Sequence, residues 1–526
     1  MLKIDDSMGD GFVLDDAILI HSMRPERLFA QIKSFIENQI ELVFKKRKAI
    51  IKNLASNKRI RNQVYIIVGD NPEADEEYYQ NQIKRIKEYI KKQKLEKNIK
   101  LSYWGYDRQI NFFNYLFSKF EDKNIRVLFK DYKSKKLGGL RGVQNKSIII
   151  ADYVTRNLKG NIIYHKLDDD IYSYVASFKN KKIFRIVHGY NIFDHKAKLL
   201  DKNGVRVIGS RYVIDSPSPL IDLKEGLTEL NTIFEGIKKN PEDSINNWGN
   251  ISKNMYCVAE YFVDESKIVQ TEETPFLYKD IKVSDALKII FNLVETLERG
   301  NNRLLFNTIE NISKGFEGFR DAIMGGFVSF KKESKIIPWI TGSNQDLIFT
   351  AFENAMHGGV YGDLPIGHIK SLNIRKSLID SLIVGEKFGL ATNDFLIMSL
   401  ILKLGKKKGF KLSKNIPYNK SIYGWGLNFT KPNDFRFMLD NADKNLGIII
   451  RKNIFKDNEI KKGLKNIKKF FIILKINWNK MSKSFNYDTK QEKPRLVAEE
   501  LFNLWYSNIN AFNELRIFTS NIKEEF

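Results

Sequence analysis

Ile162-Ile163-Tyr164-His165-Lys166-Leu167-Asp168-Asp169-Asp170-Ile171-Tyr172 carries an apolar run straight into three consecutive carboxylates. A short apolar run bounded by polar residues predicts a buried strand. Its last residues then fall at the carboxyl edge of a sheet, where open α/β sheets bind ligands. Carboxylates crowded at such an edge repel one another. A hard divalent cation with oxygen ligands, Mg2+ or Mn2+, relieves that repulsion and bridges to substrate phosphates. Taken alone, Asp-Asp-Asp is more often a solvated turn or a helix cap. Its neighbours along the chain decide between the two.

Those neighbours alternate between strand and helix. Ala17 to Ser22 predicts a first strand, and Pro25 opens a helix with Leu28, Ile32, Phe35 and Ile36 at helical spacing. Val64 to Gly69 is a second strand ending at Asp70. Glu76 to Lys94 reads as a helix, Ile99 to Trp104 as a third strand, and Ile110 to Phe120 as a helix. Ile125 to Phe129 reads as another short strand. A helix begins near Gly139 and runs to about Arg156, just before the acidic strand. Such alternation predicts an α/β fold, a mostly parallel sheet flanked by helices. Ile183 to Val187 and Val205 to Ile214 extend the sheet. Residues 222–315 read as a largely helical insert, Ala322 to Phe330 returns to strand, and Gln345-Asp346 leads into a helix. The reading divides the chain into a catalytic domain over 1–370 and a mainly helical C-terminal region over 371–526.

With 526 residues, the chain exceeds one ordinary core. No apolar run reaches the roughly 18 residues that span a bilayer. The first residues lack a signal-peptide pattern, and the single cysteine, Cys257, fits a reducing cytoplasm. The net charge of +24 invites nucleic acid, an anionic membrane face or a phosphorylated molecule. Lysine far outnumbers arginine, and base reading favours arginine, so sequence-specific nucleic-acid binding is disfavoured.

The order of elements resembles the GT-A-fold, family-2-type nucleotide-sugar glycosyltransferases over roughly residues 15–370. The matching pieces are the turn Ser22-Met23-Arg24-Pro25-Glu26-Arg27 after the first strand and Asp70 after the second. Next come the helix start with Gly139, Arg141 and Asn145, then the Asp168-Asp169-Asp170 strand end. Gly325-Gly326, Gln345-Asp346 and His368 follow. The resemblance implies a metal-dependent transfer of a sugar, of hexosyltransferase type, from a nucleoside-diphosphate sugar. The acceptor, a glycan, a lipid-linked molecule or a protein, is not identified. Ser22, Arg24, Asp70, Arg141, Asp168 and Asp169 would hold the donor. Asp168, Asp170 and His368 would hold Mn2+ or Mg2+. Asp346 would serve as the base of an inverting reaction, although Gln345 stands where an acidic partner is usual. Asp394 is the reserve base.

Two other readings compete. Lys480-Met481-Ser482-Lys483-Ser484 and Pro365-Ile366-Gly367-His368 resemble signature loops of class I aminoacyl-tRNA synthetases. The second should follow the first strand of a nucleotide-binding sheet, yet it lies far into the chain. A basic protein that binds nucleic acid or membrane without catalysis is the other. The segment Phe470 to Leu474 among many lysines reads as helix packing first, and second as a peripheral contact with the inner membrane face.

Overall fold

The computed structural model describes most of residues 13–40, 60–70, 75–130, 139–186, 193–215, 326–340, 345–368, 397–412, 432–478 and 492–526, with short strands between 231 and 319. It is an α/β architecture built on one mixed sheet. The parallel part comes from the N-terminal strands. These are β1 (Val13–His21), β2 (Ile60–Gly69), β3 (Ile99–Trp104) and β4 (Asn161–Leu167), in the spatial order β4-β1-β2-β3. The helices between them are α1 (Pro25–Phe35), α2 (Glu76–Lys92), α3 (Tyr106–Lys119) and α4 (Gly139–Val154).

Local chemistry explains these elements. Proline sits at the start of α1. The Asp75 carboxylate caps α2 by accepting from the Glu77 amide at 3.0 Å. Glu76 and Glu77 in its first turn and Lys91 and Lys92 in its last suit the helix dipole. Along β1 the side chains alternate. Ala17 and Leu19 join one core with α3 and α4, while Ile18 and Ile20 join another with α1 and α2. Burial on both faces is what a parallel sheet between helix layers requires.

Beyond β4 the sheet becomes mostly antiparallel. β5 (Ile171–Tyr172) follows the aspartates, and β6 (Ala176–Lys179) and β7 (Lys182–Ile186) form a hairpin. β8 (Val207–Asp215) continues the main sheet. The short strands β9 (Ser244–Ile245) and β12 (Ile281–Lys282) pair with each other. β10 (Cys257–Val263), β11 (Ile268–Glu272) and β13 (Arg303–Phe306) extend one side of the sheet. β14 (Gly318–Phe319) pairs with β16 (Val360–His368), and β15 (Phe327–Lys331) lies antiparallel between β4 and β8. α5 (Gln345–His357) then leads into β16 (Val360–His368).

Two sequence expectations are corrected. Ile125 to Phe129 is not a strand: Lys123–Phe129 forms a 3-10 helix, started by Asp122, whose carboxylate accepts from the Asn124 amide at 2.9 Å. The insert over 222–315 is not largely helical where it is described. Beyond Asn231 and a helical turn at 234–238 its described residues are strands; Cys257 to Val263 is a short run of mostly apolar residues, β-branched and aromatic among them, which suits a sheet. Ala286–Val294, quoted for helical spacing, lies outside the described residues.

The C-terminal helices are α6 (Pro432–Arg451), α7 (Asn458–Ile476), α8 (Glu492–Ser507) and α9 (Ile509–Ser520). α8 and α9 share the core of β1, α4 and α5 through Leu501, Trp505, Phe512 and Leu515. A buried ion pair locks α9 to α4. Arg516 Nε donates to Asp152 Oδ2 at 2.9 Å, and its other nitrogens donate to the Lys332 and Ser334 carbonyls, each at 2.7 Å. Removing one member of such a pair typically costs about 3–5 kcal/mol, because the other charge stays buried. Phe470, Phe471 and Leu474 are buried. Among the described residues no helix is long and apolar enough to cross a membrane.

Candidate active site

The carboxyl ends of β1, β2 and β4 meet at one edge. The Ser22 amide donates to the Gly69 carbonyl at 2.9 Å, which joins the exits of β1 and β2. β4 leaves the sheet beside them and turns through the three aspartates. Gln31 of α1 holds this turn by donating to the carbonyls of Asp168 at 2.6 Å and Ile171 at 2.9 Å.

Arg24 engages two of the carboxylates. Its Nε donates to Asp169 Oδ2 at 3.0 Å and its Nη2 to Asp169 Oδ1, a two-pronged pair. The same Nη2 reaches Asp170 Oδ2 at 3.1 Å, and Arg27 stands 3.9 Å from that oxygen. The Arg24 guanidinium is therefore committed to the aspartate turn.

Asp168 faces the other way. Alternation along β4 puts Lys166 and Asp168 on one face. Lys166 Nζ donates to Asp168 Oδ1 at 2.7 Å and to Asp346 Oδ1 at 3.1 Å. One buried ammonium thus joins the end of β4 to the first turn of α5, 180 residues later. Trp339 Nε1 also donates to Asp346 Oδ1, at 3.2 Å, and the indole is fixed by stacking on Phe349 with centroids 3.7 Å apart. Burial pushes the Asp346 carboxyl up to about 6, against the pull of the Lys166 ammonium. The second turn of α4 closes this side: Gln144 Nε2 donates to Asp168 Oδ1 at 3.0 Å. A helix N-terminus beside the aspartate edge suits an anion.

Gly326 packs directly against Asp168. A Cβ there would lie 2.5 Å from Asp168 Oδ2, and the Gly326 carbonyl accepts from the Asp168 amide at 2.8 Å. Gly326→Ala is expected to displace the Asp168 carboxylate and leave the fold in place. If this edge holds a nucleotide, affinity for it should fall roughly tenfold with little change in melting temperature. Calorimetric titration beside a thermal melt checks this.

A second polar cluster lies at the ends of β2 and β3. Tyr103 Oη donates to Asp70 Oδ2 at 2.8 Å, and Gln109 Nε2 donates to Asp70 Oδ1 at 3.1 Å. Lys146 of α4 donates to Gln109 Oε1 at 2.7 Å. Among the described residues, the buried His21 ring nitrogens and the buried Ser22 hydroxyl have no hydrogen-bond partner. Unmet buried polar atoms are costly, and a ligand's polar edge is one group that would satisfy them. Burial and the Lys146 charge lower the His21 imidazole well below its ordinary value.

Burial also brings Lys146 down to about 7. Folding therefore favours the neutral amine. Lys146 lowers stability progressively as pH falls from the unfolded value near 10.5 to about 7, and by a constant amount below that. Lys146→Met is expected to raise the melting temperature at neutral and acid pH, with the gain vanishing towards pH ~10. Melts across that range give the comparison.

Protein-family models return no match to this chain, and curated proteins return none. The arrangement of residues is therefore the ground for a functional reading.

Of the residues singled out from sequence, Ser22, Arg24, Asp70, Asp168, Asp169, Asp170 and Asp346 converge on one edge. Arg141 lies in the first turn of α4, on the helix whose Gln144 reaches Asp168. His368 ends β16, where its backbone pairs with Ile171, the residue after the aspartates. Asp394 lies outside the described residues, as does Lys480–Ser484. Pro365–His368 sits inside strand β16 and not after the first strand, which removes the structural context the synthetase reading needs. Asn145 faces the core: it bonds the Leu128 carbonyl at 2.9 Å and the Trp339 amide at 2.9 Å. His165 is also core, between Ser329 Oγ and Asp16 Oδ1, each at 2.9 Å. Sequence reasoning missed Lys166, Gln144, Trp339, Gln31, His21 and Lys146. Only Lys166 carried a signal, being two residues before Asp168 on the same strand face.

The acidic end of β4 also has the chemistry for a divalent cation. Its ligands would be hard carboxylate oxygens. Asp168 is partly open, and its carboxylate lies against Gly326, where any side chain would displace it. Among the described residues no group of three or more His, Cys, Asp or Glu side chains forms a ready metal cage. A cation here would therefore draw on donor phosphates or water as well.

Proposed function

We propose that this protein is a glycosyltransferase of GT-A type that transfers a sugar from a nucleoside-diphosphate donor to an acceptor hydroxyl. The observation that carries the reading is the Lys166 bridge. It sets Asp346, a carboxyl that titrates near 6, beside the Asp168 edge of the site.

On this reading the nucleoside lies over the β1–β2 edge. Asp70, His21 and Ser22 meet its polar groups, and Lys146 stands behind them. The diphosphate lies towards the N-terminus of α4, where Arg141 starts the helix. Asp168 and Asp170 would hold Mn2+ or Mg2+, which carries the charge of the leaving diphosphate when bound. Arg24 keeps Asp169 and Asp170 in place by its fork and so positions the turn. Asp346 takes the proton of the acceptor hydroxyl through its carboxylate. A base near the working pH combines an ionised fraction with adequate basicity. Lys166 keeps that carboxylate ionised above pH ~6 and holds it against Asp168. Trp339 fixes its orientation.

The test is a panel of nucleotide sugars incubated with the protein and Mn2+, scored by release of nucleoside diphosphate. One donor should be turned over, slowly by water and faster with an acceptor. Failure of every donor, together with ATP–pyrophosphate exchange in the presence of an amino acid, would sink the proposal.

A further inference from the structure

The helices α6 and α7 pack against each other. Their inner face is filled by Leu439, Leu446, Ile467, Phe470, Phe471 and Leu474, all buried. Lys468 and Lys475 close the seam on α6. Lys468 meets Asp443 at 2.5 Å, and Lys475 meets Asp443 at 2.7 Å and Asp440 at 2.8 Å.

The outer face of α7 is built differently. Lys462, Lys465, Lys469, Ile472 and Ile476 are exposed and follow one another at steps of three and four, so they form a single stripe. Ile472 is 45% exposed and Ile476 is 74% exposed. Phe437 of α6, 67% exposed, lies at the same end, since Arg436 stands over the Trp478 ring at 5.6 Å. From Lys461 to Ile476 the helix holds no acidic residue. The three stripe lysines make no ion pair among the described residues, unlike Lys468 and Lys475.

We infer that this stripe docks the protein onto an anionic lipid bilayer. Ile472, Ile476 and Phe437 would enter the headgroup boundary while Lys462, Lys465 and Lys469 lie along the charged surface. A basic stripe that ends in large exposed apolar side chains complements a surface that is negative outside and apolar beneath. An acidic protein partner would satisfy the lysines and leave three bulky apolar side chains in water. The inference stands on this helix pair alone and does not depend on the reaction proposed above.

The full chain is mixed with sucrose-loaded vesicles of phosphatidylcholine, with and without phosphatidylglycerol, and sedimented. It should sediment only with the anionic vesicles. Lys462→Glu/Lys465→Glu/Lys469→Glu should lower the partition coefficient by roughly 100-fold, as should Phe437→Ser/Ile472→Ser/Ile476→Ser to a smaller degree. The control Lys84→Glu/Lys87→Glu/Lys91→Glu changes net charge equally on α2, whose three lysines are exposed, and should bind like wild type. A thermal melt of each variant confirms folding. Equal loss in the α2 control would mean that overall charge drives binding and would overturn the inference. So would a dimer in solution that the serine variant dissociates without altering vesicle binding.

Discussion

Asp346→Asn is expected to lower kcat by roughly 10²–10⁴-fold while donor affinity changes little. The amide keeps the shape and the bond from Trp339 but cannot accept the acceptor's proton. The wild-type rate should rise as pH passes about 6, where the buried carboxyl ionises. In the Asp346→Asn variant that limb should vanish, leaving a slow rate with a flat profile in the acid range. Rates across pH with the donor identified by the panel, and single-turnover rates at saturating donor, provide both readings. A variant with the full rate would remove Asp346 as the base.

Lys166→Met should damage both stability and chemistry. The ammonium is buried between two carboxylates. Desolvation pulls its pKa down, and the charge of Asp168 and Asp346 more than reverses that, so the net shift is upward. A lysine whose folded pKa is raised contributes stability that is fully present below its unfolded value and lost only as pH rises through the folded one. The loss on substitution therefore covers the whole neutral range, and removing one partner of a buried pair costs about 3–5 kcal/mol. Asp346 would also lose its cation, so its carboxyl should move above 6 and carry the acid limb of the rate to higher pH. Denaturant melts and a pH profile of residual activity check the two effects. An unmoved limb would show that Lys166 does not hold Asp346 in the working enzyme.

The N-terminal fold was legible because each strand is a short apolar run and each helix has a distinct amphipathic period. The acidic trio was legible because three consecutive carboxylates end a strand-like run. Ile125 to Phe129 misleads because a five-residue apolar run fits a strand or a tight helix equally well, and only the Asp122 cap separates the two. The described part of the insert misleads because a short, mostly apolar run such as Cys257 to Val263 fits a strand or a buried helix segment equally well by periodicity. Asp346 was found by its place in the order of motifs. What it touches was not legible, since its contact with Lys166 joins positions far apart in the chain. His21 and Lys146 are polar residues buried by the sheet edge and α4, a fate that local sequence does not signal. Arg24 was placed beside the nucleotide by resemblance, whereas its guanidinium serves the aspartates.

The central claim is that the end of β4 holds a donor's diphosphate. Isothermal titration of a set of nucleoside diphosphates, in the presence of Mn2+, into wild type and into Asp168→Asn/Asp170→Asn tests it most directly. One nucleoside diphosphate should bind the wild type and show no measurable heat with the double variant, whose melt stays cooperative. Equal affinity in both proteins would contradict the account.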